Sequence, residues 1–262
     1  MKISIVTVSY NSAMTLRDTL ESVLQQTYAD IDYIVVDGAS TDGSVEILRE
    51  YEPRFEGRMR WVSEPDGGLY DAMNKGISLA NGEYIGFLNS DDFYTSPRSV
   101  EIIAKELESS GSDAVYGDVH FVRPDNLQHC VRYYSSRLFH RRWIRLGYIP
   151  AHPSFYCKKN IYEKYGGYNT KYRIAADFDC FVRLIYINRI STRYIPMDFV
   201  TMRTGGASTS GIKSHIGIMR EHISILKSYG IYSNTFILSL RYFYKIFEKY
   251  FGKYFLKNSK TL

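Results

Sequence analysis

Runs of apolar residues alternate with amphipathic stretches along the first half of the chain. Several of these runs are rich in β-branched residues, which is typical of strands buried on both faces. They predict strands at residues 3–8, 31–36, 59–62 and 84–88, and another beginning at residue 114. Between them, helical spacing of apolar residues predicts helices over residues 16–24, 45–48, 69–80 and 97–107. This alternation predicts an α/β fold with a mostly parallel central sheet flanked by helices.

Carboxylates follow two of the predicted strands directly. Asp37 ends the second strand, and Asp91 and Asp92 come just after the strand at 84–88. In open α/β sheets, ligands bind outside the carboxyl ends of the strands. The sequence therefore predicts a ligand site at this edge of the sheet.

The composition is that of a folded protein with an unevenly distributed charge. Of 262 residues, 45% are hydrophobic and 23% are charged, which excludes disordered and collagen-like chains. Residues 1–206 carry 24 Lys and Arg against 26 Asp and Glu, a net charge of −2. Residues 207–262 carry 9 against 2, a net charge of +7. We therefore expect a globular domain over 1–206 and a basic helical extension over 207–262.

The extension contains a basic aromatic stretch at residues 236–257. Its aromatic residues fall near one helical stripe, and lysines recur every four residues on another face. This pattern is typical of a helix that lies in a membrane interface, with lysines on anionic lipids. A helix packed on the domain and a dimer contact are the alternatives. Nucleic-acid binding is not favoured, because stacking platforms normally lie on sheets or in grooves.

Targeting signals are not apparent in the sequence. The three cysteines have no metal-type spacing, and an odd count without a signal peptide fits a reducing compartment. No run of about 18 apolar residues predicts a membrane-spanning helix. We expect a cytoplasmic protein, held peripherally at the inner face of the cell membrane by 236–257.

Asp91 and Asp92 are candidate metal ligands. Adjacent carboxylates repel each other unless a cation or a hydrogen-bond donor compensates. Mg²⁺ or Mn²⁺ accepts one or two carboxylates and completes its shell with phosphate oxygens and water. The alternative is a solvated turn in which Asp92 caps a helix.

Other polar residues could contact a ligand. Asp37 could accept hydrogen bonds from a base or a sugar, whereas Asp42 is expected to cap the next helix. Asp71 and Lys75 lie one helical turn apart, and they either face a nucleotide or form a surface ion pair.

Later in the chain, His152 lies in a loop shaped by two prolines, where a ligand contact and simple packing are equally compatible with the pattern. Asp177 and Asp179 begin a helix, so that one could cap it while the other acts as a general base.

Together these residues resemble the inverting family 2 glycosyltransferases, which have the nucleotide-sugar-binding GT-A fold. The resemblance covers roughly residues 2–205. Its three motifs are the opening strand and loop at 6–11, the second motif at 35–42 and the metal-motif strand at 82–92. Two positions differ from the family pattern, because Asn89 replaces the first Asp of D-x-D and Ala176 replaces the Glu of the Glu-Asp pair.

The resemblance implies a role for each matching residue. Asp177 is the expected catalytic base, with Asp179 as the alternative, and Asp91 and Asp92 are expected to hold Mn²⁺ or Mg²⁺. His152 and Asp179 are candidates for contact with the acceptor or the diphosphate. The expected donor-binding residues are Thr7, Tyr10, Asn11, Asp37, Asp71, Lys75, Asn89, Ser90 and Asp91.

The implied activity is metal-dependent transfer of one hexosyl or N-acetylhexosaminyl group from a UDP-sugar, with inversion. The expected acceptor is lipid-linked or a saccharide, in cell-surface polysaccharide or glycolipid assembly. The first half of 1–206 would bind the donor, and about 115–206 the acceptor. The Q-x-x-R-W motif of processive synthases is absent, and the loop from Gly205, near His215, could close over the diphosphate. An inactive sugar-nucleotide-binding protein of the same fold is the alternative.

Overall fold

A computed structural model describes residues 1–205 and 212–241 of the chain. The described strands are β1 Ile3–Ser9, β2 Ile31–Asp37, β3 Met59–Ser63, β4 Tyr84–Phe87, β5 Phe93–Tyr94, β6 Ala114–Arg123, β7 Asn126–Tyr134, β8 Tyr156–Lys158 and β9 Thr192–Arg203. The α-helices are α1 Leu16–Leu24, α2 Ser44–Tyr51, α3 Leu69–Leu79, α4 Ser99–Ser110, α5 Lys159–Tyr165, α6 Ala176–Phe181 and α7 Ile212–Ser228.

Short helical segments complete the description. Single 3₁₀ turns are formed by Glu52–Phe55, Arg141–Leu146 and His152–Ser154, and α6 continues as a π-helix over Val182–Ile187. Residues 235–241 are helical as well.

The nine strands form one sheet in the order β3-β2-β1-β4-β8-β6-β9-β5, and β7 pairs with β6. The first four strands of this order run parallel. β8 is antiparallel to both β4 and β6, and β6 is parallel to β9. The expected α/β fold with a central sheet and flanking helices is confirmed. The parallel arrangement belongs chiefly to the four strands whose carboxyl ends form the predicted ligand edge.

Each face of the sheet has its own hydrophobic core. In β1, Ile3 and Ile5 belong to one core, and Val6 and Val8 belong to the other. All seven residues of β1 are buried, as are all seven of β2. This burial on both faces is what the continuous β-branched runs predicted.

Helix α3 lies very close to β1. A methyl group at Gly76 would come within 2.3 Å of Val6 Cγ1, so that only glycine permits this approach. The close contact brings the first turn of α3, with Tyr70 and Asp71, to the carboxyl edge of the sheet.

The described part of the C-terminal extension is helical, as expected. Ile225 and Leu226 of α7 and Leu238 of the following helix are fully buried and belong to the same core as β1 and α6. None of the helices within 1–205 and 212–241 has the length and apolar character needed to cross a bilayer. The predicted boundary at residue 206, the loop up to Ser208 and most of the 236–257 stretch lie outside the described residues.

Candidate functional site

The carboxyl ends of the parallel strands align at one edge. Ser9 of β1 is in register with Asp37 of β2, and Asp37 is in register with Ser63 of β3. The loops that follow these strands therefore meet at this edge, together with the segment after β4.

Asp37 is held rigidly at the end of β2. The side chain is fully buried. The carboxylate accepts hydrogen bonds from the Ser40 backbone N–H at 2.9 Å, the Ser40 hydroxyl at 2.6 Å and the Ser63 hydroxyl at 2.7 Å. Its orientation is thus fixed before any ligand arrives.

An exposed aromatic ring lies over this strand end. Tyr10 is 68% exposed. A side chain at Gly38 would place its first carbon 3.3 Å from the Tyr10 ring and 2.8 Å from Asp66 Oδ2. Gly38 therefore allows Tyr10 and Asp66 to lie against the end of β2. Sequence reasoning missed Asp66, although it belongs to the glycine-rich turn before α3.

Asn11 ties two of the loops together. Its backbone has a left-handed φ of 49°, its Oδ1 accepts from Thr41 N–H at 2.9 Å, and its own N–H donates to Ser40 Oγ at 2.7 Å. Asn11 thus holds the loop after β1 against the loop that carries Asp37.

The structure places Thr7 inside the sheet rather than in the loop. Thr7 is fully buried, and its hydroxyl accepts a hydrogen bond from Tyr33 at 3.0 Å. Because β1 extends to Ser9, Thr7 lies two residues before the end of the strand, and its hydroxyl is engaged within the sheet. Ser9, which was missed, has a buried hydroxyl without a hydrogen-bond partner among the described residues.

The segment after β4, which carries the metal motif, contains a buried side-chain oxygen without a hydrogen-bond partner among the described residues. Asn89 Nδ2 donates to Asp92 Oδ2 at 3.1 Å, and Asn89 Oδ1 is buried without a hydrogen-bond partner in the described structure. Asp91 is partly buried, and burial raises the pKa of its carboxyl. Its carboxylate receives no hydrogen bond from another described residue.

Asp92 is buried, whereas its neighbour Asp91 is partly exposed. The side chain is 1% exposed, which rules out the solvated turn, and β5 rather than a helix follows it. Burial, followed by the neighbouring charge of Asp91, raises the pKa of Asp92 well above its usual range. Asp92 therefore supports Asn89 from the protein side.

Arg203 compensates the two acidic groups. Its guanidinium donates to the Asp91 carbonyl at 2.5 Å and pairs with Asp18 of α1. Its charge also lowers the pKa of both Asp91 and Asp92, against the larger effect of burial.

The donor atoms at this segment fit a hard divalent cation. No group of three His, Cys, Asp or Glu side chains suited to a metal ion occurs within 1–205 and 212–241. The Asp91 carboxylate and the unpartnered Asn89 oxygen nevertheless supply two hard oxygen ligands. Mg²⁺ and Mn²⁺ commonly use that number when phosphates and water supply the rest.

Ser90 fastens this segment to the loop after β1. Its hydroxyl lies 2.7 Å from the Ser12 hydroxyl, and its carbonyl accepts from Thr15 Oγ1 at 2.9 Å. The side chain is 8% exposed, so that its direct role is to position the neighbouring residues.

Asp71 and Lys75 hold the glycine-rich turn before α3. Asp71 Oδ2 accepts from Gly67 N–H at 2.9 Å. Lys75 Nζ lies 2.9 Å from Glu64, 3.9 Å from Asp71 and 3.0 Å from the Pro65 carbonyl. Both side chains are partly exposed at the edge of the sheet, where a nucleotide could still contact them.

Asp177 lies at the start of α6 with one oxygen free. Its Oδ1 accepts from Phe178 N–H at 2.7 Å and lies 3.5 Å from the Tyr70 hydroxyl, which donates to the Ile174 carbonyl at 2.7 Å. Oδ2 has no hydrogen-bond partner among the described residues. Burial raises the pKa of Asp177 to about 6.

An aromatic wall connects Asp177 with the metal-motif strand. Tyr70 stacks on Tyr168 with ring centroids 5.6 Å apart, and the Tyr168 hydroxyl lies 2.6 Å from His152 Nε2. The His152 ring lies 5.5 Å from Phe87, the last residue of β4. Burial lowers the pKa of His152 to about 4, so that the imidazole is neutral at physiological pH.

Asp179 is separate from this arrangement. It is 1% exposed, and its carboxylate pairs with Arg183 at 2.6 Å and accepts from the Tyr229 hydroxyl at 3.2 Å. Both oxygens are therefore engaged within the protein. Asp177, by contrast, is only partly buried and keeps one oxygen without a hydrogen-bond partner among the described residues.

Helix α7 holds the segment that precedes Asp177. The Glu221 carboxylate accepts from the backbone N–H groups of Arg173, Ile174 and Ala175 at 3.0, 3.1 and 2.8 Å. The His222 ring stacks on Phe178 at 3.8 Å. Sequence reasoning missed Glu221, although it is one of only two acidic residues in the basic extension.

Comparison with known proteins identifies the family of this chain. Residues 4–166 match the sequence model of glycosyl transferase family 2. A PGL/p-HBAD biosynthesis glycosyltransferase from Mycobacterium bovis BCG is 33% identical over 193 residues, which are 73% of each chain. A chondroitin synthase from Pasteurella multocida is 30% identical over 188 residues, covering 71% of this chain and 19% of the synthase.

Solved structures show the same fold at low sequence identity. S. aureus TarS 1–349 in complex with UDP has a TM-score of 0.64 at 16% identity, covering 86% of this chain and 65% of that one. The mannosyltransferase PcManGT from Pyrobaculum calidifontis, in complex with GDP-Man and Mn²⁺, has a TM-score of 0.62 at 15% identity, covering 99% and 83%. With the family match, these results lead to one conclusion: the chain belongs to glycosyl transferase family 2 and has the GT-A fold.

Proposed function

We propose that this glycosyltransferase moves one sugar from a UDP-sugar to an acceptor hydroxyl with inversion of the anomeric configuration. The observation that carries the proposal is the Asp177 carboxyl, which has a raised pKa and a free oxygen and lies near the Tyr70 hydroxyl in the first turn of α3. The fold neighbour TarS has been solved with UDP and with UDP-GlcNAc, which supports a uridine nucleotide.

The nucleoside would lie at the ends of β1 and β2. Asp37 offers a fixed acceptor there, and the exposed Tyr10 ring offers a stacking surface beside Asp66. Asn11 keeps the two loops together, and Asp71 and Lys75 flank the site from α3. Thr7 is buried in the sheet, and its contact with the donor stays a prediction.

The diphosphate would lie at the segment after β4. Asp91 and Asn89 would hold Mn²⁺ or Mg²⁺, with Asp92 behind Asn89 and Ser90 fixing the backbone. When bound, the cation supplies positive charge against the negative charge that develops on the leaving diphosphate.

Asp177 would act as the general base. Above pH 6 its carboxylate is mainly ionised, and Oδ2 can accept the proton of the acceptor hydroxyl as that oxygen attacks the anomeric carbon. A single displacement from the face opposite the leaving group inverts the configuration. A pKa of about 6 makes the carboxylate a stronger base than an ordinary Asp while keeping it ionised near neutrality.

The acceptor would approach Asp177 from solvent, and the buried rings of Tyr70 and Tyr168, with the neutral imidazole of His152, would support the site from the protein interior. Asp179 positions α6 through Arg183. The acceptor we propose is lipid-linked or a saccharide, in cell-surface polysaccharide or glycolipid assembly. The names of the PGL/p-HBAD and chondroitin relatives support this class of product.

Turnover of nucleotide sugars tests the proposal directly. A screen of UDP- and GDP-sugars with Mn²⁺ or Mg²⁺ should find one UDP-sugar that is slowly hydrolysed, and NMR of the transfer product should show the inverted anomer. Asp177→Asn should abolish turnover and leave calorimetric donor binding unchanged. Donor binding without any turnover by the wild-type chain would instead favour the inactive sugar-nucleotide-binding protein.

A further inference from the structure

An exposed basic and apolar segment lies between β7 and β8. Within residues 137–145, the four arginines are exposed, and so are two large apolar side chains: Leu138 is 58% exposed and Trp143 is 49% exposed. The 3₁₀ turn Arg141–Leu146 is anchored by Ile144, which is fully buried. The exposure of Trp143 is therefore imposed by a fixed backbone.

The positive charge of this segment is not neutralised locally. No Asp or Glu occurs from Asn126 to Tyr162. Within the described part of the chain, none of the arginines at 137, 141, 142 and 145 forms an ion pair, whereas Arg17, Arg54 and Arg60 each pair with a carboxylate. The arginines are available to an anionic partner.

The start of the C-terminal helix adds to the same surface. Ser233 Oγ donates to the Arg145 carbonyl at 3.0 Å, and the fully buried Leu238 packs beside Gly147. Phe236 and Leu240, one turn apart on the outward side of this helix, are 75% and 38% exposed. We call residues 137–145 together with Tyr232, Phe236 and Leu240 the Trp143 surface.

We propose that the Trp143 surface binds an anionic lipid bilayer. Aromatic and aliphatic side chains beside unpaired arginines are the composition that enters the headgroup boundary while basic groups meet anionic lipids. An RNA strand would need a groove or a flat stacking platform, and Trp143 instead projects from a short turn. The proposal places the folded domain itself, and not only the 236–257 stretch, against the membrane.

The position of this surface bears on the acceptor. Trp143 precedes His152 by nine residues, and His152 bonds to Tyr168, which stacks on Tyr70. If the acceptor contacts His152, a bilayer on the Trp143 surface would bring a lipid-linked acceptor to the same segment of the chain. This consequence rests on the proposed function, whereas the lipid contact does not.

Tryptophan fluorescence can test the contact, because the chain has only two tryptophans, Trp61 and Trp143. In the full-length Trp61→Phe variant, Trp143 is the only tryptophan, and excitation selective for tryptophan reports on it alone. Adding phosphatidylcholine vesicles with phosphatidylserine should shift its emission to the blue, and brominated lipids should quench it. The matched control is Trp143→Phe, in which Trp61 on β3 should show neither effect. Vesicle binding with an unchanged Trp143 spectrum would overturn the proposal.

Charge reversal gives an independent measurement of the same contact. Arg141→Glu with Arg142→Glu should weaken vesicle partition by at least about thirtyfold, the loss expected from removing two basic residues before the repulsion of the two new carboxylates is added. Lys2→Glu with Arg123→Glu makes the same charge change at exposed positions on other parts of the sheet and should have a much smaller effect. Equal losses in the two variants would contradict a specific surface, and so would a Trp143 response to an RNA oligonucleotide but not to vesicles.

Hydrolysis of the UDP-sugar without vesicles separates this proposal from the proposed function. The Arg141→Glu/Arg142→Glu variant should keep wild-type hydrolysis, because neither arginine belongs to the catalytic or donor site. Lost partition with retained hydrolysis supports the lipid contact. Retained partition in the double variant refutes it, whatever the hydrolysis rate.

Discussion

The burial that raises the pKa of Asp177 also lowers the stability of the folded protein at neutral pH. Burial raises its pKa to about 6, above the ordinary 3.8. Relative to an ordinary Asp, the protonated carboxyl favours the folded state. This stabilisation is complete below about pH 4 and is lost as the pH rises through 6, where the buried group ionises. At neutral pH, the folded chain keeps an ionised carboxylate where a neutral group would be more stable.

Asp177→Asn should consequently stabilise the protein while abolishing transfer. We expect the free energy of unfolding to increase by about 1–3 kcal/mol at neutral pH, and the difference should vanish below about pH 4. Urea unfolding at several pH values measures this. Asp125→Asn, at an exposed turn, is the control and should show no such dependence; a destabilised Asp177→Asn at neutral pH would contradict the assigned environment.

Asn89 keeps the number of carboxylates after β4 at two. An aspartate at this position would add a third carboxylate beside Asp91 and Asp92, whose pKa values are already raised. Asn89→Asp should therefore lower the free energy of unfolding by about 1–3 kcal/mol without metal. Mn²⁺ should restore the melting temperature more strongly than in the wild-type protein.

Asn89→Ala is the matched variant, because it removes the unpartnered oxygen without adding charge. It should respond to Mn²⁺ more weakly than the wild-type protein. Identical metal responses in all three proteins would show that residue 89 does not contact the cation.

At the residue scale, the ends of the strands could be read from the sequence, but the contacts of each side chain could not. Asp37 and Asp91 were predicted just after buried strands because they follow apolar runs directly, and the structure has them there. Thr7 lies within the strand predicted at 3–8, and only the structure shows that its hydroxyl accepts a hydrogen bond from Tyr33. Its contact with the sugar donor stays a prediction.

At the scale of elements, α7 is the part that completes the base site. Glu221 accepts three consecutive backbone N–H groups directly before α6. A charged acceptor of this kind fixes the local backbone more firmly than neutral acceptors do. We therefore regard Glu221 as a positioning residue for Asp177.

Glu221→Gln should loosen this segment, because an amide has one accepting oxygen and a donating NH₂ group that opposes the backbone N–H groups. We expect kcat to fall at least about tenfold and stability to fall by about 1–3 kcal/mol, with donor affinity unchanged. Glu163→Gln on the exposed face of α5 is the control. A parallel loss of donor affinity would indicate general unfolding instead.

Helices and strands were predicted well where neighbouring residues in the sequence determine them, and poorly where pairing with distant segments does. β1, β2 and β4 are mainly apolar runs and β3 has a short apolar core, and the sequence predicted each of the four within about two residues. The three-residue β8 and two-residue β5 are too short to show periodicity, and they exist because of pairing with distant strands. Tertiary packing likewise brings Tyr70 to Asp177 and Glu221 to the segment before it, and no local signal predicts either contact.

At the scale of the whole molecule, Arg203 joins three distant parts of the chain. It ends β9, pairs with Asp18 of α1 and donates to the carbonyl of Asp91. The last of the described strands thereby contributes to the same edge as the first.

Arg203→Met should weaken that edge, because its charge lowers the pKa of both Asp91 and Asp92. Both carboxyls should then ionise at higher pH, so that Mn²⁺-dependent donor binding needs more alkaline conditions and falls about tenfold at pH 7. Calorimetry across pH measures the shift. Arg193→Met, on the same strand and paired with Glu106 at the surface, should leave the profile unchanged.

The contact between Glu221 and the Asp177 segment also has a consequence for biosynthesis. Asp37, Asp91 and Asp177 all emerge from the ribosome before α7, and domains begin to fold as they are made. A nascent chain could thus form the donor edge while the base segment still lacks its carboxylate clamp. The chain would then become able to transfer sugar only after α7 has been synthesised. Unfinished chains would therefore bind a nucleotide sugar without hydrolysing it.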